Sequence, residues 1–487
     1  MSGLFLGALF PRGRAHPASG RLRAPALASA WPATGAAFVA ARPRAAAATY
    51  QSLMDVIVIG GGIVGVATAY QLHAAGHRVC VLERHATVAQ GATYGHGGAM
   101  LPTPLDVWFG PTFMKNRRAP RAGVVYKPGW YNSNVRSFVR RLSRLQPAEA
   151  FAEHYRRVKP LVDVAREAST AIESRFALEF EQRSGVLHVV RHDRDWEQVQ
   201  SALELLREFE IQHHVLSATE CADIEHSVPA EPGFAGGVLF EQERTGNCPL
   251  FTKLVKQTLD TLGGVEFMFG RAVEAIRVDN QRAAVELAPR EGERANAREV
   301  DVISADAIVV AAGAGSLPLL ERLGLRLPLH PARLFALTAP IAYEECAPHL
   351  AVVDTVKRIT MARANQRVRI AGAAVLQSES ESAKPVATPL AEAATALLAQ
   401  ATHDWIPGAA KISAAHAWEG VKLLSPDGLP VVGQALHPRL FVNFGHGPAG
   451  WGLACGSAKV VADLVSGVTP SVPPDTLAAL RPDRFEH

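Results

Sequence analysis

An α/β fold follows from three observations on this 487-residue chain. Apolar runs of strand length occur near residues 57, 310 and 442, and such runs mark strands buried on both faces of a parallel sheet. Each runs into glycines, the first with the spacing G-x-G-x-x-G. Strands of alternating pattern lie between them, as expected of a sheet with one face on a core. The economical architecture is a Rossmann-like, dinucleotide-binding layer assembled from residues 54–135, 241–327 and 416–487. An α+β, antiparallel-sheet domain is inserted as residues 136–240 and 328–415 and is the expected place for a substrate.

Residues 54–83 (MDVIVIGGGIVGVATAYQLHAAGHRVCVLE) describe a nucleotide site in full. A strand at 56–59 precedes Gly60, Gly62 and Gly65, an apolar helix continues through residues 63–72, and a second strand ends on Glu83. Gly60 allows the tight turn, Gly62 lets a pyrophosphate approach the backbone, and Gly65 lets the helix pack closely on the strand. The N–H groups of Gly61, Ile63 and Val64 sit at the positive end of the helix, facing the phosphates. Glu83, with Arg84 beside it, is placed to accept the hydroxyl hydrogens of an adenosine ribose. An acid there disfavours a 2′-phosphate, which leaves FAD or NAD and argues against NADP.

Composition limits the alternatives. Apolar residues make up 48% and charged residues 20%, ordinary for a globular chain. The formal charge of +4 is carried by the leader: residues 1–53 hold six arginines, no lysine and no acid, so the remainder is at −2. There is no electrostatic case for nucleic-acid binding. The five cysteines are scattered and never form C-x-x-C, which argues against a disulfide framework or a structural zinc site. The histidine pair at 213–214 lies in a strand, where neighbours face opposite sides, so no metal site is expected. The Arg-rich, acid-free leader is read as untranslated or disordered, with Met54 as the start. Its resemblance to an organelle transit peptide is the competing reading. The longest charge-free stretch, residues 24–41, is too rich in Ala and Pro to span a bilayer. The expected location is therefore cytoplasmic, with at most peripheral contact at the inner membrane.

Along the chain, a small-residue loop at 91–100 and a turn-rich segment at 102–128 follow the first unit. Amphipathic helices are expected over 133–175, then a hairpin about Ser184-Gly185 joining 177–180 to 186–190. A helix over 195–209 and a strand at 236–240 follow. Next come a helix at 250–262, strands at 266–269 and 272–278, and an apolar strand within 307–313. Antiparallel strands are expected at 334–341, 352–361 and 367–375, a helix at 390–401, a strand at 441–444 and a last helix over 453–464.

Several segments resemble one family. AIVVAAGAGS (307–316) resembles the second glycine-rich strand end that closes over the cofactor in two-dinucleotide-fold flavoproteins. SPDGLPVVG (425–433) with FVNFGHGPAGWGLACGSA (441–458) is similar to the C-terminal flavin signature of the D-amino-acid dehydrogenases, and TGNCPLF (245–251) to that family's T-G-D-C-x-L-F. These belong with the glycine, sarcosine and D-amino-acid oxidases. The resemblance implies FAD, bound without a covalent link, in a Rossmann-like FAD-binding domain. It implies cofactor contacts from Thr93, His96 and Gly98, from backbone near Val273, from Ala312 and Gly313, and from Gly445, Gly447, Gly450, Trp451, Gly452 and Leu453. The rings of Trp418 and Trp451 themselves read as packing. A glycine-rich turn at a helix N-terminus suits a flavin pyrimidine that gains negative charge on reduction.

Two departures bear on the substrate. The family's G-x-R-P-x-T-P-D-G reads GVKLLSPDG here, so Lys422 stands where an arginine would clamp the substrate carboxylate. Lysine keeps the charge and loses the planar two-donor fork. The family's G-Y-S reads Leu334-Phe335-Ala336, which loses a hydroxyl. Lys422, His446 and Phe335 are the substrate-side candidates, against surface or packing roles for the same residues. The implied chemistry is hydride transfer from the α-carbon of a neutral amine to flavin N5, then hydrolysis of the imine; no catalytic base is assigned. The expected activity is oxidation of D-amino acids to 2-oxo acids and ammonia, with electrons passed to a quinone of the respiratory chain or another acceptor. Oxidation of a secondary or cyclic amine such as proline, hydroxyproline, sarcosine or glycine, in one subunit of a complex, is the alternative. A flavin-free binding protein on the same fold is the third reading.

Overall fold

A computed structural model describes residues 53–100, 124–126, 133–145, 147–229, 233–289, 301–376 and 386–485. The leader and most of the turn-rich segment at 102–128 lie outside them. The chain begins with β1 (Asp55–Ile59), α1 (Ile63–Ala74), β2 (Arg78–Glu83) and β3 (Val124–Tyr126). Then come α2 (Ser133–Leu142), α3 (Ala148–Phe176), β4 (Arg183–Val190), α4 (Asp193–Glu208), β5 (His214–Leu216), α5 (Ala218–Ile224) and β6 (Gly236–Thr245). The middle holds α6 (Cys248–Leu262), β7 (Val265–Phe269), β8 (Val273–Val278), β9 (Ala283–Leu287), β10 (Val302–Ala305), β11 (Ala307–Val310) and α7 (Ser316–Glu321). The remainder is β12 (His330–Pro340), β13 (Ala351–Asp354), β14 (Ile359–Ala364), β15 (Arg367–Leu376), α8 (Thr388–Trp405), β16 (His416–Leu424), β17 (Val431–Ala435), β18 (His437–Phe444), α9 (Ala454–Val465) and α10 (Pro474–Leu480).

The first sheet has the order β17-β18-β11-β1-β2-β7, parallel throughout except for β17. Alternate side chains of β1 explain its apolar run. Val56 and Val58 join a core with α1, α3, α6 and α9. Ile57 and Ile59 join the opposite core, closed by α7 and the small sheet β10-β9-β8. Both faces are covered from Val56 to Ile59, so those four positions are apolar, while Asp55 stands at the partly exposed start of the strand.

The second sheet runs β16-β12-β15-β14-β13-β4-β6-β5, with β3 added beside β15. It is antiparallel apart from the β13–β4 and β15–β3 pairs. Helix α8 covers one face through Leu398, Ala401 and Trp405.

The structure corrects four expectations. Strand β16 pairs with β12 over His330 to Leu424, so the return to the nucleotide layer comes after residue 424, not at 416. Likewise β3 pairs with β15 in the second sheet although it lies within 54–135. The hairpin about Ser184-Gly185 is absent: β4 is one strand, Gly185 sits in an irregularity of its pairing with β6, and residues 177–180 form no strand. The run 352–361 is two strands, because Asp354 Oδ1 accepts the N–H groups of Val356 (3.0 Å) and Lys357 (2.8 Å) and turns the chain.

Candidate functional site

The carboxyl ends of β1, β2, β11 and β18 open into a cavity of about 400 Å³. At its floor Gly60 takes φ +114, and a Cβ there would lie 2.6 Å from the carbonyl oxygen of Ala311. A Cβ on Gly65 would lie 1.8 Å from the carbonyl oxygen of Gly60, which is why the helix approaches the strand only with glycine at this point. A Cβ on Gly62 meets only Thr93 Oγ1, at 3.2 Å. That hydroxyl accepts the Ile63 N–H (3.0 Å) and fastens the following loop to the helix start. The other first-turn N–H groups have no partner within the helix.

Buried Glu83 is held by two backbone donors: Oε2 accepts from Gly61 (2.6 Å) and Oε1 from His85 (2.8 Å). This fixes the carboxylate at the cavity edge with lone pairs left for hydroxyl donors. Farther along, Arg271, Ala272, Val273, Glu274, Pro318 and Arg322 form the wall beyond Glu83. The opposite end is bounded by Gly445, His446, Gly447, Gly450 and Lys422. A long cavity, open helix-terminus donors and a ribose-directed acid at one end, with a glycine-rich turn at the other, fit FAD.

A second cavity of about 110 Å³ adjoins the first and lies against the second sheet. Its walls include Gly97, Leu334, Phe335, Thr360, Gly372 and Arg358, while His96 and Lys422 line both cavities. A bulge in β12 between Phe335 and Ala336 re-aims the strand at this point. Lys422 makes no ion pair and no hydrogen bond within the described residues. Burial, reinforced by the nearby Arg369 guanidinium, lowers it to about 8, although Cys248 acts the other way. His446 is buried and bonded through Nε2 to Ser457 Oγ (2.9 Å), and burial pulls it down to about 3, so it is neutral. Burial and the Lys422 charge also hold His96 well below the usual histidine value. Its Nδ1 accepts the Gly98 N–H (3.1 Å), while its buried Nε2 has no partner among the described residues.

Of the residues singled out in the sequence, Gly60, Gly62, Ile63, Val64, Glu83, Arg84, Thr93, His96, Val273, Ala312, Gly313, Gly445, Gly447 and Gly450 line the first cavity. Gly61 and Gly65 stand behind its wall. Gly98 (φ +101) packs against the Gly246 backbone, and Gly452 with Phe335 borders the second cavity instead. Trp451 and Leu453, like Gly61, Gly65 and Gly98, line neither cavity. The Trp451 ring packs among Phe180, Phe251 and His96, and Leu453 sits in the same core. Lys422 is half-buried and borders both cavities.

Sequence reasoning missed Asn443, Arg271, Arg369 and Thr360. Asn443 donates to Thr68 Oγ1 (3.0 Å) and leaves its buried Oδ1 without a partner among the described residues, beside the first cavity. Arg369 donates from Nε to the His96 carbonyl (3.1 Å) and from Nη1 to Thr338 Oγ1 (2.8 Å), joining the cofactor loop to the second sheet. The Asn in FVNF was a visible signal, a polar residue in a buried strand; Arg369 had none, since its role depends on long-range register. Among the described residues no group of three His, Cys, Asp or Glu is placed to hold a metal.

These features define a dinucleotide-binding flavoprotein with a second-sheet substrate domain. The chain belongs to the FAD dependent oxidoreductase (DAO) family, whose pattern it matches over residues 55–464. It is 32% identical over 447 residues to a D-amino acid dehydrogenase of Cereibacter sphaeroides, covering 88% of this chain and 97% of that protein. Its fold is similar to glycine oxidase from Geobacillus kaustophilus (TM-score 0.63, 18% identity, 89% of this chain and 99% of that one). It is also similar to L-proline dehydrogenase from P. horikoshii (TM-score 0.60, 15% identity, 89% and 98%). The protein is an FAD-dependent oxidoreductase. No helix among the described residues is long and apolar enough to cross a membrane.

Proposed function

We propose that the protein oxidises D-amino acids to 2-oxo acids and ammonia and passes the electrons to a quinone or another acceptor. The observation that carries this reading is Lys422, a cation with no carboxylate partner among the described residues, at the junction of the two cavities. A buried unpaired charge is costly, and a substrate carboxylate would offset that cost. The Cereibacter relative's name agrees with this substrate class.

In this reading the FAD site comprises Gly60–Val64, Glu83, Thr93, Val273, Gly313 and the glycines of 445–450. When bound, FAD supplies the hydride acceptor at flavin N5. Lys422 holds the substrate carboxylate and so fixes the α-carbon relative to the first cavity. His446, neutral and tied to Ser457, shapes the wall and moves no proton. Among the described residues the second cavity carries no carboxylate side chain, and no protein base is assigned to the substrate ammonium. Phe335 and Leu334, apolar and nearly sealed from solvent, also suit a cyclic secondary amine. The test is a panel of D-amino acids, proline, hydroxyproline and sarcosine assayed by dye reduction. D-amino acids should lead the panel, and Lys422→Met should lower their kcat/KM by about a hundredfold or more, the cost of breaking a buried charge pair from one side. A Lys422→Met enzyme with unchanged kcat/KM would place the anchor elsewhere.

A further inference from the structure

Asn443 is a polar side chain among apolar neighbours at the carboxyl end of β18, in the buried run Leu440 to Phe444. Phe441 joins the core that holds α1 and α9, whereas Val442 and Phe444 join the opposite one. Alternation along the strand therefore turns Asn443 toward α1.

A chain of hydrogen bonds orients its amide. Thr68 Oγ1 donates its one hydrogen to the Val64 carbonyl (2.7 Å), a turn back in α1. Toward Asn443 that oxygen then only accepts, and it takes an Nδ2 hydrogen (3.0 Å). The amide is thereby set with Oδ1 away from Thr68, and this buried oxygen meets no donor among the described residues. A buried carbonyl oxygen without a donor carries a desolvation penalty that a donor removes. Asn443 lines the first cavity, so a molecule filling that cavity is in position to supply one.

Sheet order decides which part of FAD lies there. Ile59 pairs with Val310 and Val310 with Val442, which puts Asn443 level with Gly60 and two strands from it. Glu83, the ribose-directed acid, ends β2 on the other side of β1. Across the sheet the order is thus ribose at β2, pyrophosphate at the β1 turn, then β11 and β18. The covalent order of FAD is adenosine, pyrophosphate, ribityl chain and flavin ring. Beyond the pyrophosphate on the β18 side, the ribityl chain comes first. Pyrophosphate oxygens offer no hydrogen and repel a carbonyl oxygen, whereas ribityl hydroxyls are donors.

We propose that Asn443 Oδ1 accepts a hydrogen bond from a ribityl hydroxyl of FAD, with Thr68 as the positioning residue that holds the amide in that orientation. The chain Val64–Thr68–Asn443 ties the middle of the cofactor to the same helix start whose N–H groups face the pyrophosphate. This assignment is independent of which amine is oxidised.

The test strips flavin from the full chain and titrates it with FAD and with analogues whose ribityl 2′-, 3′- or 4′-hydroxyl is replaced by hydrogen, following flavin fluorescence. Wild type should bind one analogue about tenfold more weakly than FAD, the size of one buried hydrogen bond. Asn443→Leu, of similar shape, should bind FAD about tenfold more weakly and should no longer distinguish that analogue. FAD should also raise its melting temperature less than that of wild type. Thr68→Val frees the amide to rotate and should shrink the wild-type discrimination, which covers the case in which Asn443→Leu does not fold. A wild type that binds every analogue as it binds FAD would overturn the proposal, as would discrimination that persists in both variants. An Asn443→Leu protein that is less stable without flavin yet keeps wild-type FAD affinity would make Asn443 a packing residue and overturn it as well.

Discussion

Gly62 and Gly65 occupy one helical turn and answer different demands. A methyl at 62 meets a single hydroxyl 3.2 Å away, whereas one at 65 would meet a backbone oxygen at 1.8 Å. Gly62→Ala should therefore fold, melt within a few degrees of the wild-type apoprotein and purify without yellow colour, because its methyl points into the pyrophosphate path. Gly65→Ala should lose soluble yield. Normal flavin absorbance in Gly62→Ala would remove the phosphate site from this turn. Lys422 makes a second residue-scale prediction. Its folded value of about 8 lies below the model-compound 10.5. The burial penalty is thus full below pH 8, fades between 8 and 10.5 as the unfolded chain alone keeps the proton, and vanishes above. At about 1.4 kcal/mol per pH unit the penalty is at most about 3.5 kcal/mol, less whatever solvent the cavities admit. Lys422→Met should raise the melting temperature at pH 7, and the gain should shrink from pH 8 to 10.5. In the wild type, a carboxylate inhibitor lacking an amine should weaken as pH rises through 8. A pH-independent inhibitor would detach Lys422 from the carboxylate.

Glycine also sets the fit between elements. A Cβ on Gly456 of α9 would lie 2.8 Å from the backbone nitrogen of Ala165 in α3, so the two helices cross at backbone contact. Gly456→Ala should cost about 1–3 kcal/mol by overpacking, read as a lower denaturant midpoint with an unchanged slope. A stability equal to wild type would mean that the crossing relaxes freely. The same elements show what a sequence discloses. The strand–turn–helix of β1 and α1 was legible because every position has one local job: apolar, glycine or acid. The break between β13 and β14 was not, because a single Asp turns the chain with its own side chain and no glycine or proline marks the place. The places of β3 and β16 in the second sheet were equally hidden, since strand membership is decided by partners far off in sequence, 250 residues for β3 and 78 or more for β16. Arg369 was missed for the same reason: nothing local distinguishes it from a surface arginine, and only the β12–β15 register brings it to Thr338 and the His96 carbonyl.

The whole molecule is threaded so that neither sheet is a continuous piece of chain. The nucleotide layer takes β1 and β2, then β7 and β11, then β17 and β18, and the second sheet takes the stretches between them. Arg369 reaches from β15 to the His96 carbonyl, and Lys422 on β16 lines the cofactor cavity, so each sheet completes the other's site. Excising either would leave broken connections and open core, which argues that the described body melts as one cooperative unit. A ligand that binds only the folded form then stabilises all of it: FAD at a hundredfold over its Kd adds about 2.7 kcal/mol. Calorimetry should give one endotherm whose midpoint rises with FAD concentration, with near-equal van't Hoff and calorimetric enthalpies. Two endotherms of which FAD moves only one would mean that the sheets fold independently. Lys422 and Arg369 would then be meeting the cofactor side across a hinge, and closure of that hinge would join the substrate's own binding energy.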